Sequence, residues 1–267
     1  MKKYLAFLKK DFLVESSYKM AFLLDIFGIL TSLLTYFFID KLFGRQMARE
    51  LQEFKVNYFS YVLLGSAFFS YIGIGLNSFS GQLRSEQTQG TLEAILLTPT
   101  RTSVILISMG LWNIIFATFN LLLYILMGIF VFKIDFSQIN ILSALVLLLL
   151  TITSFSSLGI LSACFILVFK RGNPLSWLVS NIEGLLGGVY FPIAVLPGWL
   201  QFVSHFLPIT YAIRGIQLAV FRGYSLSELS AELIPLLAFT ILLLPLSLRA
   251  FEYALKKARK DGSLTHF

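Results

Sequence analysis

The sequence predicts an all-α polytopic membrane protein with six transmembrane helices, and composition and charge spacing are the observations behind that prediction. The chain has 267 residues, of which 57% are hydrophobic and 13% charged, and its mean hydropathy is +0.81. An ordinary soluble domain carries about 25% charged residues. Because no soluble fold of this size can hide so much apolar surface, lipid is expected to solvate much of it.

The first segment, residues 1–19, is predicted to be an amphipathic helix at the membrane interface. Its apolar side chains share one side at helical spacing, and lysines occupy the other. The apolar set is Tyr4, Leu5, Leu8 and Phe12. A basic topogenic signal with incidental amphipathicity is the alternative interpretation. No compact apolar core followed by small residues precedes the first span, so that span is expected to be an uncleaved anchor.

Six intervals with little or no charge are predicted to cross the membrane, since one helical crossing takes about 20 apolar residues. Asp25 lies in the first interval and Glu183 in the fifth, while Glu232 and Arg249 bracket the sixth. Cys164, the single cysteine, lies in the fourth, which excludes a disulfide framework and a thiolate metal cluster. The predicted spans are residues 20–39, 58–79, 102–132, 137–169, 174–190 and 230–249, followed by a tail at 250–267.

Basic residues favour one orientation of these spans. With the N-terminus in the cytoplasm, 14 of the 21 Lys and Arg residues lie in cytoplasmic segments, in agreement with the positive-inside rule. The loop at 40–57 carries four basic residues on the outer side and weakens the bias. Both termini are therefore expected in the cytoplasm. Topology also explains the net charge of +7, so no nucleic-acid partner is expected.

A charged island at residues 84–101, with the sequence RSEQTQGTLEAILLTPTR, separates the second and third spans. Its neighbours leave no room for a soluble domain, so the island is expected to act as a surface feature of a membrane protein. A helix is predicted over 84–98, bent or interrupted at Gly90. Pro99 is expected to stop it, because proline disfavours the helical conformation in the preceding residue.

The side chains of this island suggest a contact surface. Leu92, Ile95 and Leu96 share one face through i, i+3 and i+4 spacing. Glu86 and Glu93 lie seven residues apart and so present carboxylates on a similar side. The two acids are interpreted either as contacts for basic residues of a partner protein or as solvated groups on an exposed loop.

Prolines break the stretch at 184–223 into pieces near ten residues long, which are too short to cross a bilayer. The breaks fall at Pro192, at Pro197 with Gly198, and at Pro208. A re-entrant hairpin over 191–208, dipping in from the outer side, is predicted, because irregular backbone at membrane depth must be buried in protein or face a cavity. A seventh crossing kinked by proline is the alternative.

The chain combines an interface helix, six spans, a charged island between the second and third spans, and a late hairpin. In this arrangement it resembles the type-2 export permeases of the ATP-binding cassette (ABC) family. The Gly-Thr-Leu-Glu stretch from Gly90, the apolar run after it and the closing Thr-Pro are similar to the segment between the second and third spans of those permeases. The resemblance implies that residues 84–98 form a coupling helix driven by a cytoplasmic ATPase. It also implies that the hairpin caps the translocation path.

The resemblance further implies a bacterial-type cytoplasmic (inner) membrane location, a second copy of the chain as partner, and two separate ABC ATPase subunits that bind ATP and Mg²⁺. Membrane lipids are the remaining expected partners. The chain itself has no phosphate-binding loop and no clustered metal ligands, so neither catalysis nor a bound metal is expected in it. The coupling residues are expected to be Glu86, Gly90, Leu92, Glu93, Ile95, Leu96 and Pro99. The path or gate residues are expected to be Glu183, Pro192, Pro197, Gly198, Trp199 and Pro208.

The substrate is less closely defined than the architecture. Abundant aromatic residues suit export of an amphipathic drug, antibiotic or lipid, and equally of a lipid-linked polysaccharide. Glu183 is expected to line the path or to pair with Arg214, since an ionised group within a span usually faces protein or water. A protonated or snorkelled acid with a packing role is the alternative for Glu183. Two other classes stay open, an ion-coupled secondary carrier and a membrane scaffold that transports nothing.

Overall fold

The computed structural model describes residues 2–47, 49–91, 94–95, 98, 102–169, 181–182 and 184–260. Every regular element within these ranges is helical. In chain order the elements are α1 (Lys2–Ser17), α2 (Lys19–Met47), α3 (Tyr58–Thr88), α4 (Thr102–Phe130), α5 (Ile141–Phe169), a 3-10 turn (Ile193–Val195), α6 (Gly198–Ser204), α7 (Pro208–Phe221) and α8 (Ser230–Lys260).

Five of the described helices, α2, α3, α4, α5 and α8, are long and apolar enough to cross a membrane. The predicted class, an all-α polytopic membrane protein, is therefore confirmed. Residues 174–180 and 183 of the fifth predicted span, 174–190, lie outside the described residues, so the number of six crossings stays a prediction. Of that span, 181–182 and 184–186 are helical, and 187–190 form turns and bends.

Helix α3 is longer than the sequence predicted. The expected span ended at residue 79 and a separate coupling helix was expected from residue 84, but one helix continues to Thr88. Charged side chains do not interrupt helical hydrogen bonding, so the polar turns after residue 79 simply extend the helix. It ends where Gly90 adopts a φ of +70°, a left-handed conformation that is strained for residues with a Cβ.

The same helix forms the centre of the bundle. Of its apolar stretch, 72% is buried inside the chain, against 6% for α2. It packs against α2, α4, α5 and α7, and α5 packs in turn against α7 and α8. Close approach of α3 and α5 depends on Gly159, where an added Cβ would lie 2.5 Å from the carbonyl oxygen of Leu76. A movement of α3 must therefore displace most of the described helices.

The antiparallel course of the long helices gives the bundle two ends. The last turns of α3, α5 and α8 reach one end, which we call the Glu86 end. The first turns of the same helices, with the loop at 49–57, lie at the other, which we call the Arg214 end. A small apolar cluster around Phe79, Leu83 and Phe251 occupies the Glu86 end, and the main core fills the rest.

The region of the predicted hairpin begins and finishes at the Arg214 end. The Tyr190 ring packs against Tyr36, in the second half of α2, with 6.1 Å between centroids, and α8 starts at Ser230. Between them lie the 3-10 turn and the helices α6 and α7, of seven and 14 residues. Both helices are too short to cross a bilayer. These lengths agree with the predicted re-entrant hairpin, which stays a prediction.

Candidate coupling and gating sites

At the Glu86 end, one buried carboxylate joins two helices and the turn that follows α3. Glu86 lies in the last turn of α3, and its side chain is 4% exposed. The Nζ of Lys10, in α1, donates to Oε1, and Gln82 Nε2 donates to the same oxygen at 3.0 Å. Thr91 Oγ1 donates to the other oxygen, Oε2. We call Glu86 with these three donors the Glu86 joint.

The backbone that leaves this joint is fixed as well. The Gly90 N–H donates to the carbonyl of Gln87 at 3.0 Å, and the Thr91 N–H donates to the carbonyl of Glu86 at 2.9 Å. This pair of bonds around a left-handed glycine is the Schellman arrangement that closes many helices. The chain therefore leaves α3 in a defined direction, with Thr91 bonded to Glu86 through both its backbone and its side chain.

Next to the joint, Asp11 of α1 is also largely buried, and its carboxylate lies 3.5 Å from Lys10 Nζ. Burial raises the pKa of Asp11 above its ordinary value, while Lys10 acts in the opposite direction. A polar cavity of about 250 Å³ separates this part of α1 from α3 and α4. It is lined by Lys10, Asp11, Gln82, Glu86, Gln89 and Asn113, among others.

Three of the seven predicted coupling residues fall within the described residues. Glu86 lies in the joint, Gly90 ends α3, and Ile95 packs against the apolar cluster of the Glu86 end. The carboxylate of Glu86, expected to be presented to a partner, is instead bonded within the chain. Its role in coupling stays a prediction. Leu92, Glu93, Leu96 and Pro99 lie outside the described residues.

The helix predicted at residues 1–19 is present as α1, and it contacts α4. Its location at the membrane interface stays a prediction. Leu8 is half-buried. Phe12 is 55% exposed, yet its ring meets Trp112 of α4 edge-on, with 5.8 Å between centroids. The side chains of Tyr4 and Leu5 lie outside the described part of the structure. Phe12 thus combines the exposure expected at a lipid surface with a contact to the bundle.

At the Arg214 end, one arginine joins three segments. Arg214 of α7 lies 2.7 Å from Glu53 Oε1, in the loop before α3, and 2.9 Å from Glu232 Oε1, in the first turn of α8. Arg214 and Glu53 are both 48% exposed, whereas Glu232 is 4% exposed. Burial acts to lower the pKa of Arg214, but Glu53 and Glu232 outweigh it and raise that pKa. We call these three residues the Arg214 clamp.

Beneath the clamp lies a cavity of about 440 Å³ whose wall mixes aromatic and polar groups. Tyr61 Oη donates to the carbonyl of Gly188 at 2.6 Å, and Gln217 Nε2 donates to the carbonyl of Tyr61 at 3.5 Å. Gln217 is fully buried, and its Oε1 has no hydrogen-bond partner among the described residues. The wall includes Phe54, Tyr61, Pro192, His205, Tyr211 and Gln217.

The predicted gate residues surround this end, with one exception. Pro192 lines the cavity, Pro197 caps α6, and Pro208 occupies the first position of α7. Gly198 begins α6 and Trp199 follows it, largely exposed. Glu183 lies outside the described residues, so its predicted pairing with Arg214 stays a prediction.

Sequence reasoning missed the partners that complete both sites. Lys10 and Glu86 are 76 positions apart, and Arg214 and Glu53 are 161 apart. The one signal in the sequence was the presence of two polar residues, Arg214 and Gln217, in the mostly apolar stretch that forms α7. In the described part of the chain, no group of three or more His, Cys, Asp or Glu side chains could hold a metal ion.

Comparison with models of protein families identifies the family. A family model described as "ABC-2 type transporter" matches residues 2–221. The match covers α1 to α7 and therefore contains the Glu86 joint, Arg214 and most of the cavity wall beneath it, but it stops before α8, which contributes Ala231 to that wall. No curated protein matches the chain.

Proposed function

This chain belongs to the ABC-2 type transporter family and is a membrane permease component of an ABC transporter; from that premise we propose that it exports an amphipathic drug, antibiotic or lipid. ATP binding and hydrolysis belong to two separate ATPase subunits, which hold ATP and Mg²⁺. The Glu86 end and both termini face the cytoplasm, and the Arg214 end faces outward. The resident membrane is the bacterial-type cytoplasmic membrane.

The continuity of α3 is the observation that supports this proposal most strongly. Its 31 residues make a rod about 45 Å long at 1.5 Å per residue, which is enough to cross a whole bilayer. One end of the rod carries Glu86, bonded to α1 and to the turn at Thr91. The other end carries Tyr61, bonded to Gly188 in the cavity wall. A displacement at Glu86 therefore reaches the cavity without crossing a flexible linker.

The proposed cycle uses that rod. Closure of the ATPases on ATP pushes the segment at 84–98 and the interface helix α1. The Glu86 joint passes the push to α3, which tilts as a rigid body, a common type of conformational transition in proteins. Tilting draws the segment around Gly188 away from α7 and separates Arg214 from Glu53. Substrate then leaves at the Arg214 end.

Two copies of the chain form the path between them. Helix α2 supports this arrangement, because its apolar stretch is hardly buried within one copy and a large apolar surface is available for lipid or for a second copy. The mixed aromatic and polar wall of the cavity beneath the clamp suits an amphipathic substrate. The same wall suits the sugar units of a lipid-linked polysaccharide, the second candidate, because it carries the hydrogen-bonding side chains of Gln201, His205 and Tyr211.

Purification from native membranes tests the proposal. We expect an ABC ATPase to accompany the full chain. In proteoliposomes, the complex should move ethidium or a fluorescent phospholipid in an ATP-dependent manner that ionophores do not abolish. Movement driven by an ion gradient without ATP would favour a secondary carrier. An isolated chain with no ATPase and no transport would favour a scaffold.

Orientation is tested separately with an impermeant thiol reagent. Cysteines are introduced singly at Gln89, Gly198 and Ser263 in a Cys164→Ala background. In intact cells only the Gly198 position should be labelled. Labelling of the Gln89 or Ser263 position from outside would contradict the proposed orientation.

A further inference from the structure

An apolar groove lies outside both candidate sites, where α1, α2 and α4 meet. Its volume is about 600 Å³, within the range of about 300–1,000 Å³ typical of pockets for small molecules. Phe12 and Trp112 form one wall, and Phe22 packs against Phe119 with 5.8 Å between ring centroids. Phe116 completes the apolar lining. We call this the N-terminal groove.

Two charged residues of opposite sign line the groove at different depths. Lys19, the first residue of α2, lies at its rim. Asp25 also lines the groove, six residues and therefore about 9 Å further along the helix axis. Lys19 is the one basic side chain among the described residues that line the groove. The apolar lining runs away from Lys19 into the membrane-spanning part of α2 and α4.

We propose that the N-terminal groove binds one anionic glycerophospholipid, with an acyl chain among Phe22, Phe116 and Phe119 and the phosphate at Lys19. Several groove side chains are exposed although they are apolar, among them Phe12, Phe22 and Phe119, so an apolar occupant would cover them. A lysine at a helix start can extend its ammonium group to the headgroup level while its stem covers apolar surface. Charge complementarity at Lys19 thus selects an anionic over a zwitterionic headgroup.

Asp25 restricts the kind of headgroup that the groove can bind and the depth at which it lies. A carboxylate about 9 Å deeper than Lys19 repels a phosphate that slides inward, so it limits how deep the headgroup can lie. It would attract the ammonium group of a cationic amphiphile instead. The two residues therefore predict opposite mutational effects: removal of the Lys19 charge weakens phospholipid binding, and removal of the Asp25 charge strengthens it.

Trp112 allows the site to be observed directly. The chain has three tryptophans, so Trp177→Phe with Trp199→Phe leaves Trp112 as the only indole. This full-length variant is reconstituted in phosphatidylcholine vesicles that contain increasing fractions of dibrominated phosphatidylglycerol, whose bromines quench nearby indole fluorescence. Dibrominated phosphatidylcholine at the same fractions serves as the comparison. The measurement needs neither ATPase nor transport, so it is independent of the proposed function.

We expect saturable quenching in which phosphatidylglycerol is preferred about fivefold, the ratio that corresponds to roughly one lysine at a membrane surface. Lys19→Gln should abolish the preference, and Asp25→Asn should increase it. Lys41→Gln, at the far end of the same helix, should leave it unchanged. Equal quenching by the two lipids would overturn the proposal, as would a preference that survives Lys19→Gln. Absence of quenching by either lipid would also overturn it and would indicate that a second copy covers the groove.

Discussion

The Glu86 end and the Arg214 end each contain a nearly buried carboxylate next to a partly exposed basic side chain. The two ends differ in the partners that the carboxylate binds. Glu86 accepts hydrogen bonds from three side chains, those of Lys10, Gln82 and Thr91. Glu232 is paired with Arg214, which also binds Glu53. The first site is one acid shared by several donors. The second is one base shared by two acids.

This difference predicts how each end responds to force or mutation. A carboxylate with several donors keeps most of its stabilisation when one donor leaves, because each hydrogen bond to a charged group contributes about 1.5–3 kcal/mol. A buried carboxylate that depends on one base is left uncompensated when that base leaves. The Glu86 joint should therefore deform without coming apart, as a transmitting contact must. The Arg214 clamp should open as a unit, as a gate must.

Removal of the shared base should have the largest effect. Arg214→Met leaves Glu232 buried and unpaired, and we expect a loss of about 3–5 kcal/mol in the free energy of unfolding, measured by denaturation in detergent. Arg222→Met is the matched control, because Arg222 Nη1 donates to the backbone carbonyl of Glu53 rather than to a carboxylate.

A double variant that combines Arg214→Met with Glu232→Gln tests the cause of this loss. Replacement of the buried acid removes the uncompensated charge, so the double variant should recover much of the loss. Equal destabilisation by Arg214→Met and Arg222→Met would contradict the proposed difference between the two ends.

Removal of one of several donors should have an intermediate effect. Lys10→Met leaves Glu86 bonded to Gln82 and Thr91, and we expect a loss of about 1.5–3 kcal/mol in the free energy of unfolding. Lys9→Met, at an exposed neighbouring position, is the matched control and should change little. A loss as large as that of Arg214→Met would mean that Glu86 depends on a single donor after all.

Local sequence signals predicted where the chain turns, but not which charges meet. Gly90, Pro197 and Pro208 were identified from backbone preferences, and helices end or begin beside them. The end of α3 was placed too early because polarity was taken as the end of a helix. The pairs Lys10–Glu86 and Arg214–Glu53 join positions that are remote in sequence, and a single sequence carries no signal for such pairing.

A smaller effect should follow from loss of the hydrogen bond between Tyr61 and Gly188. Tyr61→Phe keeps the packed ring but removes the donor, and about 1 kcal/mol of stability should be lost. Hydrogen exchange should be faster around Gly188 and Pro192 while the Glu86 end is unchanged. Tyr18→Phe, at an exposed position, provides the control. Unchanged exchange at the Arg214 end would show that this bond does not hold the cavity wall.

The smallest effect should come from the exposed acid of the clamp. Glu53→Gln removes a half-exposed partner of Arg214 while Glu232 remains. We expect less than about 1 kcal/mol of destabilisation. The difference should disappear at 1 M salt, where the Debye length is about 3 Å. A larger loss that salt does not screen would indicate that Glu53 is buried in the assembled transporter.

The central claim is that motion enters at Glu86 and reaches the Arg214 end through α3. Spin labels on cysteines at Trp199 and Ser227, both exposed positions on different segments of that end, report its opening in a Cys164→Ala background. Labelled chains are diluted with unlabelled ones so that distances within one copy dominate. With the ATPase bound, ATP should shift the distance between the labels. The Glu86→Ala variant should bind ATPase and ATP but show no shift, while Glu228→Ala should behave as the unmodified chain. An equal shift in the Glu86→Ala variant would contradict the claim.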